Sequence, residues 1–194
     1  VRKKISIELY PIIRIRGGDF LFSTEEFDLM LHDVELCKAI GCDGVAIGML
    51  KSDGRIDKIR SAILVEKAYP MGVTFHRAFD GTRTPFESLE DIIDTGCERI
   101  LTSGQQSTAI LGAHLIRDLV KQAAGRIVIM PGSGVRASNI ADLQKETDAQ
   151  EFHSSARIHK KSSMDFIQST MQEDLESVLA DRHEIEQMLV QLSR

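Results

Sequence analysis

Short apolar runs rich in β-branched residues recur along this chain at near-constant spacing, and that rhythm constrains the fold more than any other feature. They lie at Ile12-Ile13, Val45-Ala46-Ile47, Val73-Thr74-Phe75, Ile100-Leu101, Ile127-Val128-Ile129 and Glu151-Phe152. Their centres are roughly 23 to 34 residues apart, most near 27, which leaves room for one helix between neighbours. Strands joined through helices pair in parallel, because each parallel crossover needs its helix. The helical stretches carry end signals. From Glu25 to Ile40, Phe27, Met30, Leu31, Val34 and Cys37 fall on one face, and Ser23 with Glu26 forms a capping-box pattern. Thr84, Pro85 and Glu87 open another helix, and Gly96 is placed to close it. A third pattern runs from Ser107 to Ala124, carries Ile110, Leu111, Leu115, Leu119 and Val120, and stops at Gly125. Near the end, Leu175, Val178, Leu179, Ile185, Met188, Leu189 and Leu192 predict one more amphipathic helix.

Two α/β architectures fit such alternation: an open doubly wound sheet and a TIM-type (β/α) barrel. An open sheet concentrates its chemistry at one switch point, whereas a barrel spreads it over the C-terminal ends of several strands. Here ionisable, hydroxyl or glycine residues follow five of the six runs, which favours the barrel. A barrel of this type takes about 250 residues. Six strands in 194 residues therefore predict a single barrel domain over residues 1–194 that is roughly two βα units short.

Composition narrows the function classes. The net charge is −5, and no basic stretch suggests a nucleic-acid surface. No run of about 18 apolar residues is present to cross a membrane. The basic opening Val1-Arg2-Lys3-Lys4 leads into no apolar signal region. Three cysteines, Cys37, Cys42 and Cys97, are odd in number and form no CxxC, which argues against a disulfide framework and for a reduced, cytoplasmic setting.

Four segments carry candidate chemistry. In Pro11-Ile12-Ile13-Arg14-Ile15-Arg16-Gly17-Gly18-Asp19-Phe20, arginines two apart on an extended chain point to one side and suit a carboxylate or phosphate. The alternative is an ion-pair network at the barrel mouth, with Asp19 answering one arginine. In Val73-Thr74-Phe75-His76-Arg77-Ala78-Phe79-Asp80, an apolar strand ends in three ionisable groups. His76 is the candidate for proton transfer or metal ligation, Asp80 for orienting it, and Arg77 for binding substrate. Ser103, after the fourth run, is a further binding candidate. Met130-Pro131-Gly132-Ser133-Gly134-Val135 places Gly132 and Gly134 between a strand and a helix near Ser138, where backbone N–H groups can face an anion; a plain tight turn is the alternative. Finally, His153 and Ser154 end the sixth run. Adjacent strand residues face opposite ways, so this pair is no dyad, but His76 and His153 can converge across a barrel mouth.

The sequence spacing defines no metal site. Cys37 falls on an apolar helix face, and buried cysteine behaves as a small hydrophobe. Thiolate and thioether groups would favour Cu(I). Arginine, histidine, aspartate and glycine loops suit a small anionic metabolite, which points to a barrel lyase, isomerase or hydrolase. A non-catalytic scaffold completed by a partner strand is a third class.

Four segments in this order, Pro11 to Phe20, Val73 to Asp80, Arg99-Ile100-Leu101-Thr102-Ser103-Gly104 and Glu151-Phe152-His153-Ser154-Ser155-Ala156, resemble the CutC family, also called the copper homeostasis protein family. The resemblance covers about residues 5 to 160. It implies a TIM-like barrel, a cytoplasmic and often oligomeric protein, an association with copper, and copper as the implied cofactor or cargo. Where the family has proline between the two arginines, this chain has Ile15. It begins at what resembles the family's second strand, so the resemblance implies a TIM-type barrel lacking its first βα unit at the N-terminus.

Overall fold

The structure, a computed structural model, describes residues 4–171 and 173–193. The start of the basic opening, Val1-Arg2-Lys3, lies outside the described residues. Four parallel strands, β1 (Gly44–Ile47), β2 (Gly72–Phe75), β3 (Arg99–Thr102) and β4 (Val128–Pro131), stand side by side in chain order. Val45 pairs with Val73, Phe75 with Ile100, and Leu101 with Met130. Parallel bridges from Ile12 to Ala46 and from Gly132 to His153 extend this arc at both margins, so all six apolar runs take their places in order. Helices α1 (Thr24–Ala39), α2 (Lys58–Ala68), α3 (Pro85–Thr95), α4 (Ala113–Ala123) and α5 (Ile140–Thr147) alternate with them. The result is the wall of a (β/α) barrel.

Period-two alternation along each strand decides what is buried. Val45, Ile47, Val73, Phe75, Ile100 and Ile129 face outward and are buried under the helices, against Met30, Val34, Leu64, Leu89, Ile92, Ile116 and Leu119. Each such side chain stabilises the fold by about 1.5–3 kcal/mol. The intervening Ala46, Leu101 and Met130 face the lumen and stay half-exposed. The core therefore lies between sheet and helices, which leaves the strand ends free to carry chemistry.

Local signals explain most helix ends. Ser23 and Glu26 form the full reciprocal capping box of α1. Its C-terminus is a Schellman turn: Gly41, at φ +78°, donates to the Lys38 carbonyl, and the Cys42 N–H to that of Cys37. Pro85 opens α3 and left-handed Gly96 closes it, although the Thr84 side chain makes no cap bond.

Two expected helices differ. α4 begins at Ala113 rather than Ser107, because tertiary bonds take up the stretch before it: Ala109 N–H donates to the Ser133 carbonyl and Ser133 Oγ to that of Ser107, both at 2.9 Å. At the end of the chain, Leu175, Val178 and Leu179 do not join a helix. Val178 and Leu179 lie on β6 (Ser177–Ala180), antiparallel to β5 (Arg157–Lys160), and only α6 (Arg182–Leu192) is helical. Asp181 caps α6 at the His183 N–H, which sets the boundary. α6 docks through buried Met188 and through Glu184, whose carboxylate accepts the Ala137 N–H at 2.9 Å.

Candidate functional site

Three clefts open at the C-terminal end of the strands and in the lumen, with volumes of about 550, 390 and 530 Å³. These are ordinary sizes for a small-molecule site. Leu101 stands at the junction of all three.

The 550 Å³ mouth is built around Phe20. The Arg14 guanidinium lies 4.5 Å over the Phe20 ring, whose other neighbour is His76 at 5.3 Å between centroids. His76 follows β2 and is 4% exposed. Its Nδ1 accepts the Ala78 N–H at 3.1 Å, so the proton of the neutral ring sits on Nε2. Burial, and then the positive charge of Arg14, push its pKa down to about 4, which keeps the imidazole neutral at physiological pH. Among the described residues, buried His76 Nε2 and Arg14 Nε have no protein hydrogen-bond partner. Gly48 makes the placement possible, since a Cβ there would overlap the His76 ring.

Asp80 does not orient His76. The 3₁₀ turn Arg77–Gly81 directs its carboxylate to the end of β3. There it accepts Thr102 Oγ1 at 2.5 Å, the Ser103 and Gln105 N–H groups at 3.0 and 3.2 Å, and Arg77 Nε at 2.8 Å. Ser103 is fully buried, and its hydroxyl accepts Arg77 Nη2 at 2.9 Å. Asp80 and Ser103 thus fix the mouth and the Arg77 side chain, while Arg77 itself borders two of the clefts.

Arg14 and Arg16 part company. Arg16 is held by Glu26 at 2.6 Å, Asp19 at 3.0 Å and the Leu21 carbonyl at 2.7 Å. The Arg16 hydrogen bond holds the Asp19 carboxyl below its ordinary range. This is the ion-pair network that the motif also allowed, and it leaves Arg14 as the arginine at the mouth.

The glycine turn does not run straight into a helix. Gly134 precedes α5 by several residues, and Glu184 already occupies the Ala137 N–H. Gly132 N–H donates to the Thr102 carbonyl, so it serves the sheet. Ser154 Oγ donates to the Val135 carbonyl at 2.7 Å and locks the two last loops together. His153 reaches the lumen and the 390 Å³ cleft. Its ring keeps a solvent-exposed face, while burial of the rest lowers its pKa. His76 and His153 both line the 530 Å³ lumen, as a barrel mouth requires.

One lumen cluster escaped the motif reading. Arg99 Nε on β3 donates to Glu151 at 2.6 Å, and its Nη1 contacts Glu98 and the Tyr10 hydroxyl, which donates to Glu98 at 2.8 Å. The recoverable signal was position: Tyr10, Arg99 and Glu151 each sit two residues before a lumen-facing residue, Ile12, Leu101 and His153.

Cys37, Cys42 and Cys97 are all reduced and buried. Cys37 and Cys42 face each other across the Schellman turn, and burial pushes the Cys37 and Cys97 thiols up to about 11. Among the described residues, no three His, Cys, Asp or Glu side chains converge as a metal would need, and no helix is long and apolar enough to cross a membrane.

Comparison with known proteins agrees with this architecture. The CutC family model matches residues 1–158. A CutC family protein of Xylella fastidiosa is 52% identical over 157 residues, 81% of this chain and 59% of the relative. One from Parabacteroides distasonis is 48% identical over 186 residues, 92% of this chain and 76% of the relative. This chain therefore spans about three fifths of the Xylella protein's length. The crystal structure of CutC from Streptococcus agalactiae, described as a copper homeostasis protein, matches with a TM-score of 0.70 and 30% identity, covering 73% of this chain and 70% of that one.

Proposed function

The chain belongs to the CutC family, and we propose that its barrel mouth binds a small anionic metabolite and acts on it by proton transfer. The observation that carries this reading is the pair of buried donors without protein partners, Arg14 Nε and His76 Nε2, on one 550 Å³ cavity. A buried N–H left unpaired costs about 1–3 kcal/mol, so a site holding two of them favours a ligand that accepts both. Arg14 holds the anion. Neutral His76 donates a hydrogen bond from Nε2 to the oxygen on which charge develops. His153, with one face in solvent, is the group that exchanges a proton with substrate. Asp80 and Ser103 position Arg77 beside them. The reaction class is that of a lyase or isomerase working next to a carbonyl or carboxylate, in a cytoplasmic protein that assembles with copies of itself.

Calorimetric titration with a panel of small carboxylates and phosphates tests this. Arg14→Ala and His76→Ala should each weaken the best ligand about tenfold or more. A panel in which neither variant changes the binding of any anion overturns the proposal.

Copper reaches this chain through the description of the Streptococcus agalactiae protein, and the donor set of this chain does not fit it. Cu(I) wants convergent soft ligands. The three thiols are buried in two separate places, burial holds those of Cys37 and Cys97 protonated, and His76 carries its proton on the nitrogen that faces the cavity. We therefore assign this chain's part in copper homeostasis to an anionic small molecule rather than to a metal ion held by these residues. Titration with Cu(I) against a competing chelator should show weak binding; tight one-to-one binding lost in Cys37→Ser and Cys42→Ser reverses that assignment.

A further inference from the structure

The 390 Å³ cleft beside the mouth has a charge pattern that the mouth alone does not explain. It lies between the loop after β4, the segment at His153 and the start of β5. Three arginines, Arg77, Arg136 and Arg157, and two histidines, His153 and His159, line it, and among the described residues no acidic one does. That is unusual in a chain of net charge −5. Two of these groups are answered from outside the cleft: Arg77 by Asp80, and His159 by Glu176 at 3.3 Å. Arg136 and Arg157 are different. Among the described residues, neither guanidinium forms an ion pair with a carboxylate, although Arg136 is half-buried.

Converging arginines without carboxylates are the arrangement that holds a tetrahedral oxyanion, because each planar fork can donate two parallel hydrogen bonds to it. Ser133 and Gly134, consecutive left-handed residues at φ +80° and +73°, also border the cleft. The cleft meets the mouth at Leu101 and Arg77, so one molecule can occupy both.

We infer that this cleft is a phosphate subsite, formed by Arg136 and Arg157 with Arg77 between it and the mouth, and that the substrate is a phosphorylated small metabolite. Its phosphate lies in the cleft, and its reacting end reaches Arg14 and His76. The substrate class rests on the reading of the mouth given above, whereas the subsite stands on its own residues.

Three probes separate the two: inorganic phosphate for the cleft, glycolate for the mouth and phosphoglycolate for both. Each is titrated calorimetrically into the full chain and into Arg136→Gln, Arg157→Gln, their double variant and Arg14→Ala. Among the described residues neither Arg136 nor Arg157 pairs with a carboxylate, so the Gln variants keep the fold, and matching circular dichroism and melting curves check this. The double variant should bind inorganic phosphate and phosphoglycolate at least about tenfold more weakly and leave glycolate unchanged. Arg14→Ala should weaken glycolate and phosphoglycolate and spare inorganic phosphate. Phosphate affinity that is unchanged in the double variant, or that follows Arg14 alone, overturns the subsite. Phosphate affinity that follows Arg136 and Arg157 while glycolate ignores Arg14 upholds the subsite and overturns the substrate class, because the mouth reading has then failed.

Discussion

Between pH 4 and 6.5, the stability of this protein should rise with pH because of His76. The ring titrates at about 4 in the folded chain and at an ordinary 6.5 once exposed by unfolding. As pH falls below about 6.5, the unfolded state takes up the proton first and is favoured. The stabilisation from burying neutral His76 is thus complete above 6.5, declines as pH falls, and is exhausted below about 4. That difference in pKa corresponds to about 3 kcal/mol over the window. His76→Asn is the matched control: its Oδ1 stands where Nδ1 accepts the Ala78 N–H, and it cannot titrate. Urea unfolding at closely spaced pH values should show the wild type losing about 3 kcal/mol more than His76→Asn between 6.5 and 4. Carboxylates such as Glu90, held down to about 2 by Arg126 and Gln122, are common to both proteins and cancel in the difference. Two parallel stability curves, or a His76 NMR titration centred near 6.5, would refute the claim that burial keeps this ring neutral.

Asp80→Ala should cost about 3–5 kcal/mol, since it leaves Arg77 unpaired and strips the Ser103 and Gln105 N–H groups of their acceptor; a melting temperature lowered by less than about 3 °C contradicts this. Gly48→Ala should cost about 1–3 kcal/mol and move the His76 ring, because the new methyl overlaps it and the Ala78 Cβ; an unchanged imidazole spectrum argues against such a tight fit. Arg99→Met should cost about 1–2 kcal/mol, a figure discounted because Glu98 and Glu151 are partly solvated; salt-dependent unfolding that matches the wild type would show that the cluster contributes nothing.

What could be read in the sequence was what local chemistry decides. The β runs, the Ser23–Glu26 box and the Gly96 stop depend on residues within a few positions of each other: four of the six runs become strands, single bridges mark the first and the end of the sixth, and the box and the stop are realised. The errors arose where distant segments decide. The 175–192 stretch has enough apolar residues for one helix, but Val178 and Leu179 pair with β5 instead. The four-residue spacing of His76 and Asp80 suggested contact, yet the intervening 3₁₀ turn sends the carboxylate to residues 102–105. Arg16 and Arg14 looked equivalent until Glu26, ten residues on, took one of them. Arg136 and Arg157 gave no signal because nothing near either in the chain marks it; only folding brings them to one cleft.

Arg99 has a consequence for the shape of the whole mouth. It sits on a central strand, yet its partners, Tyr10 and Glu151, belong to the two margins of the arc. A backbone ladder passes curvature only from neighbour to neighbour, so small errors in twist accumulate across six positions. A side chain that touches both margins acts instead as a spoke and sets the chord of the arc in one step. The separation between Arg14 on one margin and His153 on the other is thereby governed from the opposite end of the strands. A change at the floor of the lumen would alter the gauge of the proposed site at the mouth.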